Sequence, residues 1–133
     1  MRILLFILVA ALALACDPLE DNVSQDITLC KNYTIEKINA YADIDCNNHT
    51  INCSSSLDTG IITNNSIEIK NCLIQGCEYG VRAIGTNITI TGSIFKNNKI
   101  GIALEDSTLK GNNTFLSNKR DILKTRPEKP PKD

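Results

Sequence analysis

NITITGSIFKNNKIGI, residues 87–102, decides the fold, because SIEIKNCLIQGCEYGV (66–81) repeats its pattern one step earlier in the chain. Gly60, Gly80 and Gly101 are followed by Ile61, Val81 and Ile102, so a Gly-aliphatic pair recurs at steps of 20 and 21. A period of this size marks a solenoid, in which each repeat buries its apolar face only by stacking on the next. Working outward, Ile51, Ile74, Phe95 and Phe115 form a second column, and Cys46, Ile69, Ile90 and Leu109 a third, with steps between 19 and 23. Both read as inward stacks. Around them Ile44-Asp45-Cys46, Ile67-Glu68-Ile69 and Ile88-Thr89-Ile90 alternate apolar and polar, the signature of strands with one buried face. Outside the first fifteen residues no window sustains a helical period.

A fourth column, Asn48, Asn71, Gly92 and Gly111, falls where each coil turns a corner. Gly reaches left-handed backbone angles without steric cost and Asn tolerates them best among residues with side chains, so this column reads as structural and not as a nucleotide-binding glycine set. A fifth, Cys77, Asn98 and Asn118, places asparagines where they can hydrogen-bond to one another along the axis.

Coils of this size, with three short strands and Asn/Gly corners, resemble the right-handed parallel β-helix of the pectin lyase-like superfamily. IDCNNHTI (44–51), the two segments quoted above and STLKGNNTFLSN (107–118) look like the short repeats of bacterial and archaeal periplasmic and surface β-helix proteins. The resemblance implies an all-β right-handed parallel β-helix of about four coils over residues 27–123, preceded by a signal peptide. It is specific for fold and poor for activity, since the same repeat carries lyases, hydrolases, epimerases and adhesins. A small Greek-key sandwich would not hold register through successive coils.

Residues 1–15 carry Arg2, an unbroken apolar run from Ile3 to Ala15 and a small-x-small end at Ala13-Leu14-Ala15, which reads as a secretory signal peptide. No transmembrane helix is expected in the mature chain. Cys16 directly after the run raises lipidation, although Ala13 and Leu14 stand in the reverse of the usual lipobox order. All six cysteines, Cys16, Cys30, Cys46, Cys53, Cys72 and Cys77, fall after the run, and an even count in a short exported chain implies disulfides. Cys53 lies one coil below Cys77, and Cys46 lies one coil below and slightly offset from Cys72, within reach across a strand spacing of about 4.8 Å. Cys16 with Cys30 would then pin the N-terminal segment. Zinc is the alternative, but the spacings are not of the CxxC type.

A solenoid exposes unpaired strand edges at both ends. The irregular acidic segment within 16–26 reads as the N-terminal cap, extending toward Lys31. KTRPEKPPKD (124–133), with three prolines and four positive charges, reads as a blunt end or tether. A net charge of −1 argues against nucleic acid as a partner, since phosphate binding needs a basic face.

Chemistry is harder to find. His49, the single histidine, shares a column with Cys72 and Ser93 near an interior corner, and a packing role is the simpler account. Asp43 and Asp45 point outward, with Glu68 placed one coil above Asp45. This strip leaves room for calcium or an acid-base pair, while a solvated polar face is the plainer reading. No catalytic residue, cofactor or metal site is assigned. Arg82 points outward, but the paired aspartates and acidic groups of the superfamily's enzymes have no counterpart. Asn48 and Asn64 are the accessible candidates for glycosylation among several N-x-S/T triplets. The expectation is a structural or interaction module that is secreted, periplasmic or at the cell surface. Its partner would be a polysaccharide or a cell-surface protein. A carbohydrate-binding module is the first rival, although sugar platforms usually add exposed aromatic rings, and a polysaccharide lyase or hydrolase is the second.

Overall fold

The computed structural model describes residues 17–126. The expected signal peptide, Cys16 and most of the Pro-rich segment lie outside the described residues. The first turn holds β1 (Asn22–Val23), β2 (Ile27–Thr28) and β3 (Tyr33–Ile35), and the second holds β4 (Ile38–Ala40), β5 (Ile44–Asp45) and β6 (Thr50–Cys53). The third holds β7 (Thr59–Thr63), β8 (Glu68–Lys70) and β9 (Leu73–Gln75), and the fourth β10 (Tyr79–Ile84), β11 (Asn87–Thr91) and β12 (Ile94–Lys96). The fifth holds β13 (Ile100–Glu105), β14 (Thr108–Lys110) and β15 (Thr114–Leu116), after which β16 (Arg120–Thr125) begins another.

Every third strand pairs, in parallel, to give three sheets. Face A stacks β1, β4, β7, β10, β13 and β16; face B stacks β2, β5, β8, β11 and β14; face C stacks β3, β6, β9, β12 and β15. The chain is an all-β parallel β-helix of about five turns, one more than the columns indicated. The extra turn begins inside the segment read as the cap. It escaped the column search because it is short: Asn22 pairs with Asn39, Ile27 with Ile44 and Tyr33 with Ile51, steps of 17 or 18 residues.

Inward positions repeat turn after turn and form the core. Ile51, Ile74 and Phe95 are fully buried in one stack, and Phe115 continues it with its ring 5.5 Å from that of Phe95. Each such burial contributes roughly 1.5–3 kcal/mol. The third column needs correction. Ile44, not Cys46, stands under Ile69 and Ile90, and Leu109 stands over Ile88. The second-to-third step is 25 residues there because Asn47 and Asn48 widen the corner, both with positive φ.

The Gly-aliphatic column has a steric cause. A Cβ on Gly80 would lie 2.5 Å from the carbonyl oxygen of Gly101 and 2.8 Å from the Phe95 ring, and Gly60 would meet the Gly80 oxygen at 2.3 Å. Successive backbones approach too closely there for a side chain, and the ring stack leans over the gap. The corner column is confirmed as left-handed backbone at Asn48, Asn71, Gly92 and Gly111.

Polar ladders line the corners. Cys77 N–H donates to Asn98 Oδ1 (3.0 Å), and Asn98 N–H and Nδ2 both donate to Asn118 Oδ1 (3.0 and 3.1 Å). Asn98 Nδ2 also reaches the Ile74 carbonyl (3.1 Å) and Asn118 Nδ2 that of Phe95 (2.9 Å). At the next corner Cys72 N–H donates to Ser93 Oγ and Ser93 N–H to Asn113 Oδ1, both 3.1 Å. At the third, Thr86 N–H donates to Ser107 Oγ (3.0 Å). Backbone groups turned away from the sheets are thus paired inside the coil.

The expected stacked disulfides are present. Cys46–Cys72 joins Cα atoms 4.8 Å apart and Cys53–Cys77 joins Cα atoms 5.1 Å apart, each between the second and third turns. Cys30 is also disulfide-bonded, while its expected partner Cys16 lies outside the described residues.

Candidate functional site

Because the interior is filled, only the outer faces offer ligand-accessible chemistry, and strand alternation decides which side chains they show. On face A, Asn39, Ile62, Arg82, Ala103 and Leu123 share one outward column. Arg82 makes a two-pronged contact with Glu105, Nε to Oε2 at 2.8 Å and Nη2 to Oε1 at 2.9 Å. The guanidinium lies 5.5 Å from the Tyr79 ring. Hydrogen bonding to Glu105, opposed by partial burial and aided by the carboxylate's charge, holds the Arg82 guanidinium above its ordinary value. Arg82 is thus outward, as its position implied, but committed to an ion pair.

Beside this pair lies a depression of about 220 Å³ lined in part by Asn39, Tyr41, Ile62, Asn64 and Ile84. Tyr41 is 52% exposed and Ile84 39%. Asn39 Nδ2 donates to Asn22 Oδ1 (3.1 Å). The side chains of Tyr41 and Asn64 make no hydrogen bond among the described residues, so a phenol, an amide and two apolar side chains stand ready for a partner. Sequence reasoning missed this grouping. Its signal was present in Gly60-Ile61-Ile62-Thr63, where alternation turns Ile62 to solvent between two inward neighbours.

Face B carries the carboxylate strip, and its register differs from the expected one. Lys70, not Glu68, stands over Asp45. Asp43 Oδ1 accepts from Glu68 N–H (2.8 Å), and Asp45 Oδ1 accepts from Asn47 N–H (2.8 Å) and Asn71 Nδ2 (3.4 Å). Glu68 approaches Lys70 at 3.7 Å. Two carboxylates brace the chain where the turns are irregular, and the third has a cation. Among the described residues no three His, Cys, Asp or Glu side chains gather to hold a metal ion.

His49 has the expected register, its carbonyl accepting from Leu73 N–H (3.2 Å), but the widened corner leaves it half-buried. Asn48 and Asn64 are both exposed. Face C turns Leu73, Ile94 and Leu116 outward beside an Asn52–Gln75 amide pair at 2.6 Å. Among the described residues no helix is long and apolar enough to cross a membrane.

Compared with known proteins, the chain matches no family model, no curated protein and no solved structure. None of these comparisons supports the expected pectin lyase-like assignment, and what stands is the parallel β-helix architecture itself.

Proposed function

We propose that the chain is an exported, disulfide-braced β-helix module with a structural or interaction role at the cell surface or outside the cell, built on the pectin lyase-like plan. One observation carries this reading: two disulfides clamp the same pair of turns, and such bonds persist in oxidising compartments. The filled interior favours a surface role over a cleft enzyme. A lyase would need an unencumbered base, and Arg82 on the outward face is tied to Glu105.

Carbohydrate binding is the second reading, favoured by the exposed Tyr41 ring beside the unpartnered Asn64 amide. A thermal-shift screen of the oxidised chain against neutral and acidic polysaccharides, with and without calcium, separates the two. A ligand at a hundred times its Kd stabilises the folded state by about 2.7 kcal/mol. No shift across the panel is expected of a structural or protein-binding module. A selective shift lost in Tyr41→Ala would move the chain to the carbohydrate-binding class, and released oligosaccharide to the enzymes. Asn64→Gln tests whether a glycan there, if the host adds one, covers the same depression.

A further inference from the structure

The two ends of the coil differ in charge and in what their outermost inward positions carry. At the N-terminal end Val23 is 3% exposed and Leu29 fully buried, Leu19 packs against the core cluster, and Asp17 N–H donates to the Thr28 carbonyl (3.2 Å) on the free side of β2, while Ile27 and Tyr33, the last residues of their inward columns, are half-buried. The outer surface of this end is acidic, with Asp17, Glu20, Asp21, Asp26 and Glu36 exposed against Lys31 and Lys37.

The C-terminal end is open among the described residues. β14, β15 and β16 each pair on one side only, as β1, β2 and β3 do at the other end. The inward columns end in Leu109 and Phe115, which are half-buried, and Ile122, which is 42% exposed. On face A the buried Ile100 is followed by Arg120, and Leu104 by Lys124. Lys110, Lys119 and Arg126 are exposed nearby, against Asp106 and Asp121. Cations at inward positions blunt the edge against a neutral strand. An acidic surface would satisfy them while covering Ile122 and the ring of Phe115.

We propose that the basic end receives the acidic end of a second copy, so that coils associate head to tail. Complementary charge at opposite ends makes the contact heterologous, and a heterologous contact that does not close builds a filament. This supplies a partner for the interaction role proposed above and rests on that reading only for the oxidised state of the chain. Charge steering of this kind weakens with salt.

Sedimentation of the exported, oxidised chain tests it, with free thiols titrated in parallel. Oligomers that grow with protein concentration and dissolve as salt is raised are expected. Lys119→Glu with Arg120→Glu and Lys124→Glu, and separately Glu20→Lys with Asp21→Lys and Glu36→Lys, should each remove self-association, and mixing the two variants should restore oligomers in which they alternate in equal amounts. A chain that is monomeric at every concentration with its disulfides intact overturns the stacking and leaves the export reading standing. Free thiols in the exported chain would instead count against that reading. Oligomers indifferent to both charge reversals overturn the stacking too. So does hydrogen-exchange protection of β14–β16 that is independent of concentration, since a segment of the same chain would then cover the end.

Discussion

The second and third turns are joined at two corners by disulfides, whereas the fourth and fifth hold the same corners with serine and asparagine. Cys72 lies directly below Ser93 and Asn113, and Cys77 below Asn98 and Asn118. The covalent braces sit where the repeat is irregular. Steps into the third turn are 23 to 25 residues, after steps of 17 or 18 into the second, while the steps above are all 20 or 21. Where the step is constant, equivalent groups align and a hydrogen-bond ladder suffices. Where it varies, Asn47 and Asn48 must be accommodated at one corner and the Ser54–Asp58 segment at another, and cross-links fix the register instead.

The largest expected effect comes from removing a brace. Replacing Cys46 and Cys72 together by serine frees a loop with a separation of 26 residues, a closure that taken alone contributes about 3.5 kcal/mol in the chain-entropy picture. The Cys53–Cys77 loop overlaps it, so with either bond intact the other closes a shorter effective loop, and removing both should cost more than the two single removals summed. Urea denaturation of the three variants measures this, and strict additivity would show that the two corners are independent.

Breaking the ladder should come next. Asn98→Ala strips acceptors and donors from buried groups, the Cys77 N–H and the Ile74 carbonyl among them, and an unsatisfied buried group costs about 1–3 kcal/mol. Asn98→Asp keeps the shape and the acceptor for Cys77 but faces the Ile74 carbonyl with a carboxylate oxygen, so it should not rescue. Equal stability of Asn98→Ala and the parent would end the claim that amides brace the upper turns.

Gly80→Ala probes the close approach of turns shared by both regions. Its Cβ would collide with the Gly101 carbonyl and with Phe95, and overpacking of this kind costs about 1–3 kcal/mol. Thermal melts of Gly80→Ala and Gly85→Ala sharpen the point. Gly85 has open space around its missing Cβ, so its penalty is conformational only, from a positive φ of 61°.

The smallest effect belongs to the surface pair. Arg82→Ala should cost less than about 1 kcal/mol, because both partners are about one-third exposed and solvent screens them. A basic group held above its ordinary value adds stability at every pH below that value and loses it only in strong alkali. The Arg82 cation should therefore add no pH dependence to stability across the neutral range, which melts at several pH values would show.

Legibility in the sequence followed the same division. The upper turns could be read from constant steps, so the Gly, Phe and Asn98–Asn118 columns stand where their spacing put them, except that Leu109, placed over Ile90, stands over Ile88, and both disulfides followed from stacking. The first turn and the Ile44 register could not, because a search near period 20 cannot see a step of 17 or anticipate an inserted Asn47-Asn48 corner. The Glu68-over-Asp45 placement failed for that reason. Side chains that form the depression around Tyr41 come from successive turns, and their meeting depends on those irregular steps. The Ser93–Asn113 and Thr86–Ser107 contacts were hidden because Ser and Thr are equally at home on the solvated faces.

Hydrogen exchange with and without reductant tests most directly whether disulfides hold the irregular turns and amide ladders the regular ones. Stability varies along a solenoid, and exchange reports it locally. Reduction is expected to expose amides between residues 44 and 77 while β11–β13 stay protected. Loss of protection spread evenly along the chain, or none at all, would contradict the division.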